Sequence, residues 1–394
     1  MSLSLQEQAA RWVGVGRSDA TDAIDAATES VGSALAGREA ALVVLFASEA
    51  LDLPTLVRHA DAASGDAQLI GCSTAGEIAT SGPGDAGVVA IALGGSGFTV
   101  STTAVSGIAD DARRAGAEAA ACLGDVAGAP HRILLLLTDG LAGDQQEIVR
   151  GAYSIAGAGV PLVGGCAGDD MRMTATHQFC GPEIHQDTIV AAAIGSDAPL
   201  GIGVRHGWGA VGDGMLVTSS GDNRVLTLDD QPALDVYCDI LDVPPQARTD
   251  SDAFTRFALT HPLGMSRRAS EEQVRFIAGA DFEERSLLTL AAVPQGGLVW
   301  LMEGDHDSVL AATDAACVDA LAALDGGQPR GLVVFDCIAR RGVLGDEGIQ
   351  REVQRVAHHA GGAPVAGFYT YGEIARTQGV SGFHNQTLVV LAIG

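Results

Sequence analysis

The sequence predicts an α/β fold: mixed parallel and antiparallel sheets layered with helices, in two domains, with an internally repeated β-α-β-loop-β module. Three observations carry that expectation. Apolar runs such as ALVVLF (41–46) and RILLLLT (132–138) do not alternate in polarity, as expected of strands covered on both faces, and segments of helical spacing separate them. Three later runs, VVAIALGG (88–95), TIVAAAIG (188–195) and TLVVLAIG (387–394), resemble one another. Ahead of each lies a glycine turn: GCSTAGEI (71–78), the shortened GGCAGDD (164–170) and GFYTYGEI (367–374). Two landmarks per copy argue for duplication, with a period too long for a solenoid.

In chain order, residues 1–18 read as a loose arm. Ser18 to Leu35 reads as a helix, capped by Ser18 or Asp19, with Ile24, Ala27, Val31 and Leu35 at helical spacing. The run 41–46 is a strand, 54–63 a helix with Pro54 in its first turn, and AQLIGCS (67–73) a strand that delivers Gly71 and Ser73 to its end. The order returns as a strand at 98–105, a helix at 110–123, a strand at 132–138, a helix at 144–156 and the strand PLVGGCA (161–167). It returns again as GLVWLM (297–302), a helix at 308–324, a strand at 330–336, a helix at 345–359 and APVAGFY (363–369). Each strand–helix–strand unit requires a parallel pair, whereas each closing run returns through a loop and should be antiparallel. Residues 201–220 read as strands with turns, 233–240 as a short helix, 241–250 as a proline-bearing loop and 261–290 as short strands. The boundary is set at 206/207, giving a two-module domain 1–206 and a domain 207–394 that holds a β-rich insertion and the third module.

Charge narrows the partners. Lys and Arg total 23 against 49 Asp and Glu, a formal balance of −26, so the chain lacks the footprint for nucleic acid and is repelled by anionic lipid. No apolar run is long enough for membrane insertion, and MSLSLQEQAARWVGVG lacks the pattern of a signal peptide. Seven cysteines without CxxC spacing suit a reducing compartment, and a cytoplasmic location is expected.

With these landmarks placed, the chain resembles the FIST family of paired FIST N and FIST C sensor domains. The resemblance is carried by GCSTAGEI, GGCAGDD, GIGVRHGW (201–208), LDDQPALDVY (228–237), PLGM (262–265), GFYTYGEI and FHNQT (383–387). It implies a sensory role in signal transduction, with small molecules such as amino acids as ligands. It also implies an alternative, a haem protein that responds to nitric oxide and regulates a histidine kinase.

The residues themselves suggest a binding loop. Glu77 and Glu373 stand at equivalent places, where a carboxylate can pair with a ligand ammonium while Ser73, Thr74 and Thr370 offer hydroxyls. Equally, each Glu can cap a neighbouring turn. Tyr369 and Tyr371 flank Thr370, and Asn385 of FHNQT joins the candidate set. Arg205, His206 and Trp208 can wall a flat or anionic ligand, or the Trp can be core. The expected pocket lies where the first and third turns approach, near the domain interface, and the expected signalling partner is a histidine kinase or similar protein. Asp169 and Asp170 lack the spacing of a cation loop. His206, His261 and His384 are the candidate haem ligands; the cofactor and the oligomeric state are left open.

A hydrolase or transferase using Cys72 or Ser73 is the third class. GCSTAG is superficially similar to a nucleophile turn but misses GxSxG, and dinucleotide, P-loop and zinc-protease signatures are absent. Cys72 is read as recurring at Cys166 and becoming Phe368, a packing position. No enzymatic activity is expected.

Overall fold

Strands Ala40–Ala47, His131–Thr138 and Gly331–Cys337 are buried along nearly their whole length, because helices cover one face of each sheet and the other sheets cover the opposite face. The structure, a computed structural model, describes residues 10–221, 223–266, 272–377 and 382–394. Part of the expected arm (1–9) and part of the expected 261–290 strands (267–271) lie outside the described residues.

Three sheets share one neighbour order. The first runs Trp12–Ser18, Val88–Gly94, Ala40–Ala47, Gln68–Ser73; the second Phe98–Ser106, Thr188–Ser196, His131–Thr138, Leu162–Cys166; the third Leu200–Arg205, Leu388–Ile393, Gly331–Cys337, Val365–Thr370. In each, the last two strands are parallel and the closing strand is antiparallel to both its neighbours. Their inner faces meet in one core. Phe46 of the first sheet stacks on Phe368 of the third, with ring centroids 4.8 Å apart, and Phe335 meets both edge-on.

What joins the sheets is an exchange of hairpins. The hairpin after the first turn, Glu77–Ala79 with Gly82–Gly84, leaves its own sheet and extends the third by pairing with Val365–Thr370. The one after the third turn, Glu373–Arg376 with Phe383–His384, extends the second sheet on Leu162–Cys166. The one that follows the second turn, Gln178–Cys180 with Glu183–His185, extends the first on Gln68–Ser73. The exchange is cyclic: in each of the three sheets the edge at the strand before the glycine turn is covered by a neighbour's hairpin.

Three expectations are corrected. Trp12–Ser18 is a strand paired along its length with Val88–Gly94, not part of a loose arm. Its glycines disguise it, and they are required: a β-carbon at Gly14 or Gly16 would lie 2.0 Å from the carbonyl oxygen of Ala34 or Ser30 in the covering helix Ala23–Leu35. GLVWLM does not open the third module. Leu298–Glu303 pairs with Gly209–Gly221 and Leu263–Ser266 in a separate sheet, and Leu200–Arg205 takes the opening place. The third module is therefore split between its first strand and its first helix, His306–Ala322, by an inserted sheet with helices Ala233–Ile240 and Ser251–Ala258 around Tyr237 and Phe254. Finally, the helix expected at 345–359 begins at Ile338 and breaks at Gly345 (φ 61°, ψ −178°) before running on to Ala360.

Candidate functional site

The three glycine turns do come together. Ala75 N–H donates to the Tyr369 carbonyl (3.1 Å), Tyr371 N–H to that of Cys166 (3.2 Å) and Gly168 N–H to that of Ser73 (3.0 Å). Gly71, Gly164 and Gly367 are equivalent: a β-carbon there would lie 2.2, 1.9 and 2.0 Å from the facing carbonyl oxygens of Leu45, Leu136 and Val334. This register aligns Ser73 with Cys166 and Tyr369, so the pairing of Cys72 with Cys166 is off by one residue.

At this junction the side chains of the first and third turns expected to hold a ligand are engaged by the protein itself. Thr74 Oγ1 donates to Glu77 Oε1 (2.6 Å) and Gly87 N–H to Glu77 Oε2 (3.1 Å). Thr370 repeats the contact with Glu373 Oε1, while Thr387 donates to Glu373 Oε2 through its N–H (3.1 Å) and its hydroxyl (2.8 Å). Glu77 is 1% exposed and Glu373 0%; burial pushes both carboxyls up to about 7, against the lowering effect of the threonine bonds. Ser73 is equally committed, donating to the Gly168 carbonyl (2.8 Å) and accepting from His177 N–H (2.9 Å). These groups lock the exchanged hairpins.

The other candidates scatter. Tyr369 is buried beneath the Arg341 guanidinium, with its hydroxyl unpartnered. Arg205 is exposed and pairs with Asp319. Trp208 is buried, its Nε1 donating to the Gln386 carbonyl (3.1 Å), and with Arg205, His206 and His261 it lines an open groove of about 790 Å³. Burial pushes the Cys72 thiol well above its usual range, with Cys166 adding to the shift. Asp169 is saturated, and no cluster suited to a metal occurs among the described residues.

A haem does not fit the histidines proposed for it. His206 Nδ1 accepts from Trp208 N–H (3.0 Å), which puts the proton on Nε2, and His384 commits Nε2 to the Ala375 carbonyl (2.9 Å). His261 does turn Nδ1 to the Phe257 carbonyl (2.8 Å), freeing Nε2. It faces an open groove with Glu303 and Asp305, however, not an apolar slot.

Two of the sequence candidates, Tyr371 and Asn385, line a cavity of about 870 Å³. One wall is the second module, at Gly140, Leu141, Gln145, Cys166, Met171 and Met173. Another is the third module's broken helix, from Cys337 to Gly345. The inserted sheet closes it with Asn223, Phe276 and Leu290–Ala292. Because these residues come from four distant segments, no spacing in the sequence announces them. Asn385 is fully buried, and neither its Oδ1 nor its Nδ2 has a hydrogen-bond partner. Burial pushes the thiol of Cys166 up to about 12 and that of Cys337 well above its ordinary range, and no histidine among the described residues lines the cavity.

The lip of the cavity is tied down by Tyr371. Its hydroxyl donates to Asp169 Oδ1 and accepts from the N–H groups of Asp169 (3.2 Å) and Met171 (2.8 Å). Burial would raise the Asp169 carboxyl, but Tyr371 and the N–H groups of Thr174, Ala175 and Met173 outweigh it and hold the group below its ordinary range. Tyr371→Phe leaves two backbone donors unpaired and is expected to destabilise the fold by about 3 kcal/mol, read by urea unfolding. A change under about 0.5 kcal/mol would show that the lip does not depend on this hydroxyl.

Geometry thus defines the class: an α/β chain of exchanged modules with a large, mainly apolar cavity beside their junction. The chain belongs to the FIST family, with residues 41–231 matching the FIST N domain and 233–376 the FIST C domain. FIST domains are sensor domains of signal transduction. The two matches meet inside the inserted sheet, whereas the change from the third sheet to the inserted one falls just after Arg205. No curated protein matches the chain. No helix among the described residues is long and apolar enough to cross a membrane.

Proposed function

We propose that this chain senses a small molecule bound in the 870 Å³ cavity and relays its occupancy to a signalling protein such as a histidine kinase, without transforming the ligand. The observation that carries the reading is Asn385. A buried amide without partners loses free energy unless a bound molecule satisfies it, and this one lines the 870 Å³ cavity. The absence of histidine from the lining and the raised thiols of Cys166 and Cys337 favour binding over covalent catalysis.

The amino-acid ligand implied by the family resemblance loses the ammonium site drawn from Glu77 and Glu373, since both carboxylates are consumed within the fold. A ligand of this cavity is instead held by apolar walls with a polar end at Asn385. It touches the second module, the third module and the inserted sheet together, so it shifts any equilibrium in which those bodies separate.

The test is a thermal-shift screen of metabolites on the wild type and on Ala291→Trp, whose indole would occupy the cavity. A genuine ligand at a hundred times its dissociation constant stabilises the wild type by about 2.7 kcal/mol and leaves the variant unmoved. A ligand that stabilises both equally would place the site elsewhere.

A further inference from the structure

The repeated architecture supplies an internal control for Asn385. Ser48, Asp139 and Cys337 donate their N–H groups to the carbonyls of Gly87, Thr188 and Thr387, at 3.0, 3.1 and 3.1 Å, which aligns the three closing turns. Two residues earlier stand Asp85, Gln186 and Asn385. In the first copy the side chain is satisfied by the protein, Asp85 pairing with Arg341. In the second, Gln186 Nε2 meets His177 Nε2 at 3.0 Å. Only in the third copy does this position face the cavity, and only there does the side chain lack a partner. The fold can provide a partner at this position and does not do so where the cavity is.

Resting on the cavity as ligand site, we propose that the ligand is a flat molecule presenting an adjacent hydrogen-bond donor and acceptor, the edge of a lactam or carboxamide-bearing ring, which pairs with both atoms of the Asn385 amide. Three features select this class. The amide offers one acceptor and one donor group side by side, the complement of such an edge, and both are vacant. Phe276, Tyr371 and Phe383 line the cavity in a chain with only 4% aromatic residues, surfaces suited to a planar body. The charged side chains of the lining are either engaged by the protein or, as with Asp346, exposed at its edge, away from the buried Asn385. Among the described residues Arg341 is the one Lys or Arg of the lining, and its guanidinium is engaged by Asp85 and the Ala75 carbonyl. Asp144 already accepts from Gln146 N–H (2.8 Å) as a helix cap. A carboxylate ligand would meet the Asn385 donor but leave its acceptor facing a second acceptor, and an ammonium would do the converse.

Three bicyclic probes of similar size separate the outcomes, with binding measured by ligand-observed NMR titration: 2-quinolone, with adjacent N–H and C=O; quinoline, with an acceptor alone; and 2-naphthoate, an anion. On the wild type, 2-quinolone is expected to bind at least about tenfold tighter than the other two, the loss expected when a buried partner is left unpaired. Asn385→Leu should erase that preference, and Asn385→Ala serves if the leucine variant does not fold. Ala291→Trp should abolish all binding. Equal wild-type affinities that Ala291→Trp abolishes would overturn the donor–acceptor edge and keep the cavity. Binding that Ala291→Trp leaves intact, or no binding by any of the probes, would overturn both.

Discussion

Divided at 206/207, neither half of this chain is expected to fold cooperatively. In 1–206 the hairpin Glu77–Gly84 has no third sheet to join, and the edge strand Leu162–Cys166 loses the hairpin Glu373–His384 that covers it. In 207–394 the closing strand Leu388–Ile393 loses Leu200–Arg205, and Phe335 and Phe368 lose Phe46. Ile78 and Ile374, 2% and 0% exposed in the intact chain, become exposed; each such loss removes about 1.5–3 kcal/mol, with about 0.5–1.5 kcal/mol more for every ladder bond broken. Against a typical domain stability of about 5–15 kcal/mol, these losses are decisive. Urea unfolding of each half should show no sigmoidal transition, whereas co-expression should recover a one-to-one complex. A half with a sharp transition of its own would show that the exchanged hairpins are ornaments of the fold.

The second large effect concerns Glu77 and Glu373, whose folded carboxyls are pushed up to about 7 by burial from an ordinary value of about 4.3. Below about pH 4.3 each is neutral in both states. As pH rises towards 7 the unfolded chain ionises while the folded one keeps its protons. Stability conferred by each group is then lost, by roughly 3 kcal/mol once the pH passes 7. The surroundings offset burial only in part: Thr74, Gly87 N–H and Arg17 lower the Glu77 carboxyl while Asp170 raises it, and Thr370, Thr387 and the Cys337 thiol lower that of Glu373. His206 and His384, pulled down to about 4 by burial, act in the opposite sense between about pH 4 and 6.5, so the informative quantity is a difference between variants. In Glu77→Gln/Glu373→Gln the amide N–H can donate to Thr74 or Thr370, and the remaining oxygen still accepts from Gly87 or Thr387. The double variant should gain several kcal/mol relative to the wild type between pH 5 and pH 8. A difference that stays constant across that range would mean the carboxyls ionise freely.

Much of this fold is legible in the residues. Apolar, non-alternating runs mark the doubly covered strands, and Thr74 with Glu77, like Thr370 with Glu373, is a spacing that a local hydrogen bond explains as well as a ligand does. The local bonds of that spacing are present, and neighbouring modules bury both carboxyls. The destination of the hairpins was not legible: Glu77–Ala79 is a strand of three residues, and nothing in EIA states which sheet it joins. Trp12–Ser18 was concealed by glycines that serve helix packing, and GLVWLM fits an opening strand by pattern but pairs within the inserted sheet. Of the candidate site, Tyr371 and Asn385 stood out through their motifs. Phe276, Ala291 and Cys337 did not, because only the folded chain brings these separate segments around one space.

The central claim is that this space, and not the glycine turns themselves, receives the ligand. A crystal structure of the protein with the molecule that raises its melting temperature most tests it directly. The account predicts density inside the cavity, within hydrogen-bonding distance of the Asn385 amide and against Tyr371, with Glu77 and Glu373 still held by their threonines. Density in contact with either glutamate, or in the groove beside Trp208 and His261, would contradict it.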